Sequence, residues 1–155
     1  MKEMILSEIK KLESMDQEWI LNQLHGIVME NKKVSSPADI YSKYLLRYSN
    51  KKQEHFIVLE LDGGNKVQKC RVVTKGLLNS SQVHPREVFA DAIKNRCASI
   101  IIAHNHPSGN NEPSREDITV TKRIKEAGEI LGISVLDHLI VSSTGYKSML
   151  EAGYL

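Results

Sequence analysis

The sequence has little cysteine and no long apolar run. Its two cysteines, Cys70 and Cys97, form neither a disulfide framework nor a CxxC metal site, so we expect a reducing, cytosolic setting. No apolar run reaches the length of a membrane span, and the start of the chain lacks the apolar core of a signal peptide. The sequence therefore predicts a cytoplasmic protein without membrane contact.

The sequence also lacks an excess of charge. Its formal net charge is +2 at pH 7, which gives no electrostatic argument for binding nucleic acid or anionic membranes. The apolar share of 41% over 155 residues is ordinary for a globular protein with a buried core. We expect one main domain with a small appendage.

Residues 1–34 are interpreted as an N-terminal helical appendage. Apolar residues recur at helical spacing in two runs over residues 2–31, with Asp16 as a helix N-cap between the runs. Such apolar stripes are typical of a packing element or of the arm of a homodimer. The polar stretch that leads to Pro37 marks the boundary, and the main domain is predicted over residues 36–155.

The main domain shows mixed helix and strand patterns. Ser36 is a good N-cap for a helix that reaches about Tyr48, and Asp62–Asn65 is a strong hairpin turn signal. Strands are predicted over 54–61, 66–74, 98–103, 133–141 and 146–150. One helix is predicted over 84–96, and its buried face consists of Val88, Phe89, Ala92 and Ile93. A second helix is predicted from Ser114 through Leu131, with Gly132 at its end. This pattern predicts an α/β or α+β fold in which one sheet is flanked by helices.

Two histidines stand at the end of the apolar strand 98–103. His104 and His106 are two positions apart, so on an extended strand both imidazoles project to the same side. Imidazole is a good ligand for first-row metals, and Asp117 could supply a third ligand after a turn-rich loop. Three protein ligands leave the fourth position of a zinc ion to water, as in catalytic zinc sites.

Each half of this pattern also has a simpler interpretation. A lone His-x-His is often surface or turn chemistry, and Ser114-x-x-Asp117 is a capping pattern for the helix that it opens. The two halves together favour a metal site, because two polar histidines delivered by a buried strand need a partner.

The combined motif resembles a known family. His104-x-His106, followed by Ser114 and Asp117, matches the motif of the JAMM (MPN+) metalloproteases. The extended pattern resembles the bacterial RadC family in particular through His104-Asn-His-Pro-Ser-Gly109, Pro113-Ser-Arg-Glu-Asp117, Leu136-Asp-His138 and Val83-His-Pro-Arg-Glu87. The resemblance covers about residues 36–155. RadC proteins often carry a helix-hairpin-helix region before this domain, and residues 1–34 contain no clear one.

The resemblance implies an MPN/JAB-like, cytidine-deaminase-like mixed β-sheet flanked by helices. It implies a zinc hydrolase of amide or isopeptide bonds in a peptide or protein, with His104, His106 and Asp117 as metal ligands. Ser114 would stabilise the oxyanion. A glutamate at the start of the first strand would transfer the proton, which favours Glu54.

Other residues compete for these roles. Glu87 is the alternative proton-transfer residue, although a carboxylate in the first turn of a helix also interacts favourably with the helix dipole. Asp137 and His138 could orient a ligand, but we favour them as satisfied core or sheet-edge residues. His84 is interpreted as a residue at the start of a helix.

Two other functions are compatible with the sequence. The domain could interact with nucleic acid in DNA repair or mobile-element biology, with a structural or vestigial zinc, as the RadC name suggests. It could also be an inactive scaffold, although the complete set of motif residues argues against that interpretation.

Overall fold

The computed structural model describes residues 32–76 and 83–155, together with the single positions Met4, Ser7, Glu8 and Ile20. These four positions are helical. The rest of the predicted N-terminal helices and residues 77–82 lie outside the described residues. The chain divides into two compact units, residues 1–30 and 31–155. The boundary at residues 34–36 stays a prediction.

A six-stranded sheet forms the centre of the second unit, in the order β1-β3-β2-β4-β5-β6. Its strands are β1 (Lys32–Lys33), β2 (His55–Leu61), β3 (Lys66–Lys75), β4 (Ser99–Asn105), β5 (Ser134–Ser142) and β6 (Gly145–Ser148). Neighbouring strands are antiparallel except for β4 and β5, which are parallel. The mixed sheet with flanking helices is an α+β fold, so the predicted fold class is confirmed.

Within residues 32–76 and 83–155, three helical segments accompany this sheet. They are α1 (Pro37–Ile40), which continues as a π-helical turn (Tyr41–Leu45) and a 3₁₀ turn (Leu46–Tyr48), α2 (Pro85–Lys94) and α3 (Arg115–Leu131). The predicted ends are confirmed where capping sets them. The Ser36 side chain accepts the N–H of Asp39, and Gly132 ends α3 with a φ of 69°. Among the described helices, none has both the length and the apolar character needed to cross a bilayer.

Strands β2 and β4 are buried along their whole lengths, as expected for strands covered on both faces. Phe56 and Val58 of β2 and Ile100 and Ile102 of β4 pack into one core with residues of α2 and α3. The even-numbered side of β4 therefore faces α3. His104 lies on that side, which directs it towards the start of α3.

One predicted buried position and one predicted strand end are wrong. Ile93 of α2 is 52% exposed, because it lies about 100° around the helix from the buried Ala92 and leaves the buried stripe. The last strand, predicted to reach residue 150, ends at Ser148, and Leu150 is 50% exposed. There the Leu150 N–H donates to Asp137 Oδ1 at 3.1 Å, which draws the chain into a turn.

Gly128→Ala tests the packing of α3 against its surroundings. Alanine in place of a helical glycine normally stabilises by about 1 kcal/mol. At Gly128, however, a Cβ would lie 2.5 Å from the Ile133 carbonyl oxygen and 3.1 Å from Phe89 Cζ. We expect a net loss of about 1–3 kcal/mol in the free energy of unfolding, measured in urea. Gly63→Ala is the control, because no heavy atom lies within 4 Å of its Cβ position. A Gly128→Ala protein more stable than wild type would contradict this packing.

Candidate metal centre

The predicted metal ligands converge where β4 meets the start of α3. The Nε2 atoms of His104 and His106 lie 2.8 Å apart. Asp117 places Oδ1 at 3.1 Å from His104 Nε2 and Oδ2 at 3.4 Å from His106 Nε2. Among the described residues, this is the group of acidic, histidine or cysteine side chains that could hold a metal ion.

The Asp117 carboxylate has two tasks. Ser114 is the N-cap of α3, and its side-chain oxygen accepts the N–H of Asp117 at 3.1 Å. Asp117 Oδ2 in return accepts the N–H of Ser114 at 2.7 Å, which completes a capping box. The capping and the ligand interpretations therefore hold together, because the capped carboxylate still presents Oδ1 to His104.

The loop after β4 orients His106. Its Nδ1 lies 2.7 Å from the carbonyl oxygen of Asn110. A carbonyl only accepts, so Nδ1 carries the proton. In the neutral ring, Nε2 then carries a lone pair, which faces His104 and Asp117.

A buried relay orients His104 in the same way. The Thr121 hydroxyl donates to the Asp117 carbonyl oxygen at 2.6 Å. Since that uses its only proton, the hydroxyl accepts from His138 Nδ1, which is 2.6 Å away. His138 Nε2 is then the acceptor for His104 Nδ1–H at 2.7 Å. The relay leaves the Nε2 lone pair of His104 pointing at His106 and Asp117.

The result is a cluster of lone pairs without a donor between them. Two imidazole nitrogens and a carboxylate face one another in a space where His104 is 1% exposed. Such an arrangement needs a proton or a cation. Ligands of a tetrahedral zinc ion lie about 3.3 Å from one another, given bonds of about 2.0–2.1 Å. The separations of 2.8, 3.1 and 3.4 Å, of which the last two go to different oxygens of Asp117, lie around that value.

In the metal-free cluster a proton can take the place of the cation. Burial raises the pKa of Asp117, but hydrogen bonds that the protonated rings of His104 and His106 and the Ser114 hydroxyl donate to its carboxylate outweigh this effect and hold that pKa well below its usual range. The hydrogen bond with Asp117 raises the pKa of His106, with further contributions from the Asn110 carbonyl and the charge of Glu54. Burial holds the pKa of His138 well below the usual value, so its ring is neutral.

The two candidate glutamates lie in different places. Glu54 lines a cavity of about 430 Å³ with Lys52, Gln53, Gly76, Pro107 and Ser108, and its charge acts on His106. Glu87 is on α2, where it is 55% exposed and pairs with Arg86 at 3.0 Å. Of the two, Glu54 is the glutamate whose charge acts on a predicted ligand.

Our interpretation of His138 as a core or sheet-edge residue was incomplete. Its ring is 1% exposed and contacts a predicted ligand directly. Asp137 has the structural role that we favoured, because its carboxylate accepts from the Ser148 hydroxyl at 2.6 Å and from two backbone N–H groups. His84 also has the predicted role, since its side chain caps α2 by accepting the Arg86 N–H.

Two further residues of the cluster were missed in the sequence. Thr121 stands four positions after Asp117, so helical spacing alone would place it on the same face of α3. Asn110 contributes only its backbone carbonyl, for which side-chain patterns carry no signal.

Comparison with known proteins places most of the chain in one group. Residues 34–154 match the family profile described as RadC-like JAB domain. A UPF0758 protein of Methanospirillum hungatei is 61% identical over 107 residues, which cover 69% of this chain and 48% of that protein. A UPF0758 protein of Staphylococcus epidermidis is 50% identical over 121 residues, 78% of this chain and 54% of that protein. The chain thus spans about half the length of these relatives.

Thr121→Val tests whether the relay prepares the cluster for a metal. Valine removes the hydroxyl that accepts from His138, so the orientation of His104 is no longer enforced. We expect zinc affinity to fall by about 10–100-fold in calorimetric titration, while His104→Ala removes a ligand and abolishes tight binding. His84→Ala is the control, since His84 caps α2. Unchanged zinc affinity in Thr121→Val would contradict the relay.

His106→Gln tests the raised pKa of His106 in the metal-free protein. A histidine whose folded pKa is raised contributes stability that is fully present below its unfolded pKa of about 6.5 and is lost as the pH rises through the folded value. We therefore expect the difference in unfolding free energy between wild type and His106→Gln to be largest below about pH 6.5 and to shrink at higher pH. A difference that does not change with pH would show that the Asp117 contact does not act on the protonated ring.

Proposed function

Because this chain belongs to the RadC family of JAB-domain proteins, we propose that it is a zinc-dependent hydrolase of amide or isopeptide bonds. The names of the relatives state no reaction, so the proposal is argued from the site. The observation that carries it is the convergence of the His104, His106 and Asp117 lone pairs.

Zinc suits this set of donors. The set combines two nitrogens with one carboxylate oxygen and leaves room for a ligand that is not protein. When bound, Zn²⁺ would act as a Lewis acid and bring the pKa of a water ligand towards about 7. The partial exposure of His106 and Asp117, 14% and 10% of their side chains, supports access from solvent to that position.

Glu54 is the proposed proton-transfer residue. It would take a proton from the attacking water and pass it to the leaving amine, the role of a general base and then of a general acid. Its place on the cavity wall and its charge effect on His106 support this assignment. The solvent-exposed pairing of Glu87 with Arg86 argues against the competing assignment.

Ser114 is the proposed oxyanion donor. Its side-chain oxygen accepts the N–H of Asp117, and its hydroxyl proton, which interacts with the Asp117 carboxylate, would turn to the oxyanion once a metal satisfies that carboxylate. The capping box holds this hydroxyl next to the Asp117 carboxylate, so it requires little reorganisation to meet a developing negative charge.

The cavity that Glu54 lines supports a proposal for the substrate class. A volume of about 430 Å³ is within the usual range of ligand sites and admits a short segment of chain on either side of an amide. We propose a peptide or protein substrate, including a lysine-linked conjugate. The nucleic-acid alternative stays a prediction, and a steep salt dependence of DNA binding would favour it.

Glu54→Gln tests the proposal against Glu87→Gln as the matched control. Both proteins should bind one zinc ion, because neither residue is a proposed ligand. We expect hydrolysis of fluorogenic dipeptide amides and ε-lysyl isopeptides by Glu54→Gln to fall by about 10²–10⁴-fold, and Glu87→Gln to retain wild-type activity.

The outcomes separate the parts of the proposal. Full activity in Glu54→Gln together with a loss in Glu87→Gln would transfer the proton-transfer role to Glu87. Wild-type protein that holds zinc and cleaves no member of either substrate set would contradict the hydrolase assignment.

A further inference from the structure

Asn105 stands between the two ligand histidines and has no role in the proposed chemistry. It is fully buried. As the alternate residue of β4, its side chain projects to the face opposite His104 and His106. A fully buried amide needs hydrogen-bond partners, and the partners of Asn105 are informative.

All three hydrogen bonds of the Asn105 side chain go to the segment that carries Glu54. Oδ1 accepts the N–H of His55 at 2.7 Å. Nδ2 donates to the carbonyl oxygens of Gln53 at 3.0 Å and Lys51 at 3.3 Å. The bonds to Gln53 and His55 therefore hold the backbone on both sides of Glu54.

This contact extends the sheet beyond its backbone pairing. Strands β2 and β4 pair as far as Phe56 and His104. At the next position, the Asn105 side chain takes the place of a main-chain partner for His55. Continued to the following residue, the same antiparallel register would bring Glu54 opposite His106. Gly76 N–H donates to the Glu54 carbonyl at 2.9 Å, so β3 holds the segment from its other side.

We propose that Asn105 is a positioning residue that fixes Glu54 relative to the ligands His104 and His106. This inference rests on the proposed function of Glu54. The same short strand end then sets both halves of the site: its even-numbered side presents the ligands and its odd-numbered side ties down the proton-transfer segment.

The side chain of asparagine suits this task. At this one position Oδ1 accepts one hydrogen bond and Nδ2 donates two. Among side chains, an amide is the group that combines one acceptor oxygen with two donor hydrogens. Aspartate would turn an oxygen towards the two carbonyls. Alanine would remove a partner from three backbone groups, of which the His55 N–H belongs to a buried residue, and the loss of a partner for a buried group is costly.

The first experiment is amide hydrogen exchange in the metal-free protein, which needs neither zinc nor a substrate. In Asn105→Ala we expect the His55 amide to exchange about tenfold faster, while the amides of β5 keep their protection. Asn95→Ala is the matched control, because Asn95 donates to Glu60 on another part of the domain. Unchanged exchange of the His55 amide in folded Asn105→Ala would contradict the proposed positioning by Asn105.

Asn105→Asp, which is isosteric and lacks both donor hydrogens, replaces the alanine variant if the latter does not fold. In this variant we expect faster amide exchange over residues 52–54, and unchanged exchange there would equally contradict the proposed positioning.

The second experiment asks whether Asn105 acts through Glu54. Misplacement of a catalytic group by about 1 Å can cost about 10²-fold, so we expect kcat of Asn105→Ala to fall by about 10–100-fold with little change in KM and in zinc content. In a Glu54→Gln background the same change should have no further effect on kcat. Additive losses would assign Asn105 a purely structural role and overturn the inference.

The two experiments also separate this inference from the proposed function. If zinc-loaded wild type cleaves no amide, the proposed function and the effect of Asn105 on catalysis both fall. The exchange result still decides whether Asn105 holds the segment around Glu54.

Discussion

The site depends on the mutual repulsion of three lone-pair groups held about 3 Å apart. The two imidazole nitrogens and the Asp117 carboxylate have no donor between them in the orientations that their neighbours impose. Water could relieve such repulsion at the surface, but His104 is 1% exposed. A proton satisfies two of these groups at a time, whereas a metal cation would satisfy all three at once, because it accepts electron density from each. The surrounding hydrogen bonds keep these lone pairs directed inwards and thereby maintain that requirement.

The start of α3 combines helix stability with ligand geometry. A capping box normally satisfies only the N–H groups of the first helical turn. Here one carboxylate oxygen completes the box while the other meets His104, and Thr121 in the next turn anchors the relay to His138. Loss of the capping box would therefore weaken α3 and at the same time misplace Asp117, a predicted metal ligand. This coupling also explains why Ser114 can serve the helix while its hydroxyl remains beside the site.

The central strand β4 connects the two sides of the sheet. On one side it delivers His104 and His106 to α3, and on the other Asn105 binds the segment before β2. Both sides are buried, so the polar groups at this strand end are costly unless each one has a partner. The relay, the loop carbonyl of Asn110 and the backbone of residues 51–55 supply those partners. The site is consequently built into the core of the sheet and not attached to its surface.

The sequence by itself determined the features that depend on neighbours along the chain. These are the caps at Ser36 and Ser114, the end of α3 at Gly132, the hairpin turn, and the shared side of His104 and His106. Its α+β pattern and family resemblance were likewise readable from it. Only the tertiary structure decided which distant residues meet. His138 meets His104 because the parallel pairing of β4 with β5 places it opposite Ile102, two residues before His104. The segment that carries Glu54 is held at the end of β4 because β2 pairs with β4 as far as His104 and Asn105 then binds His55. Such registers result from packing the whole sheet against its helices, and a local pattern does not contain them, since a shift by one residue would turn every side chain to the other face.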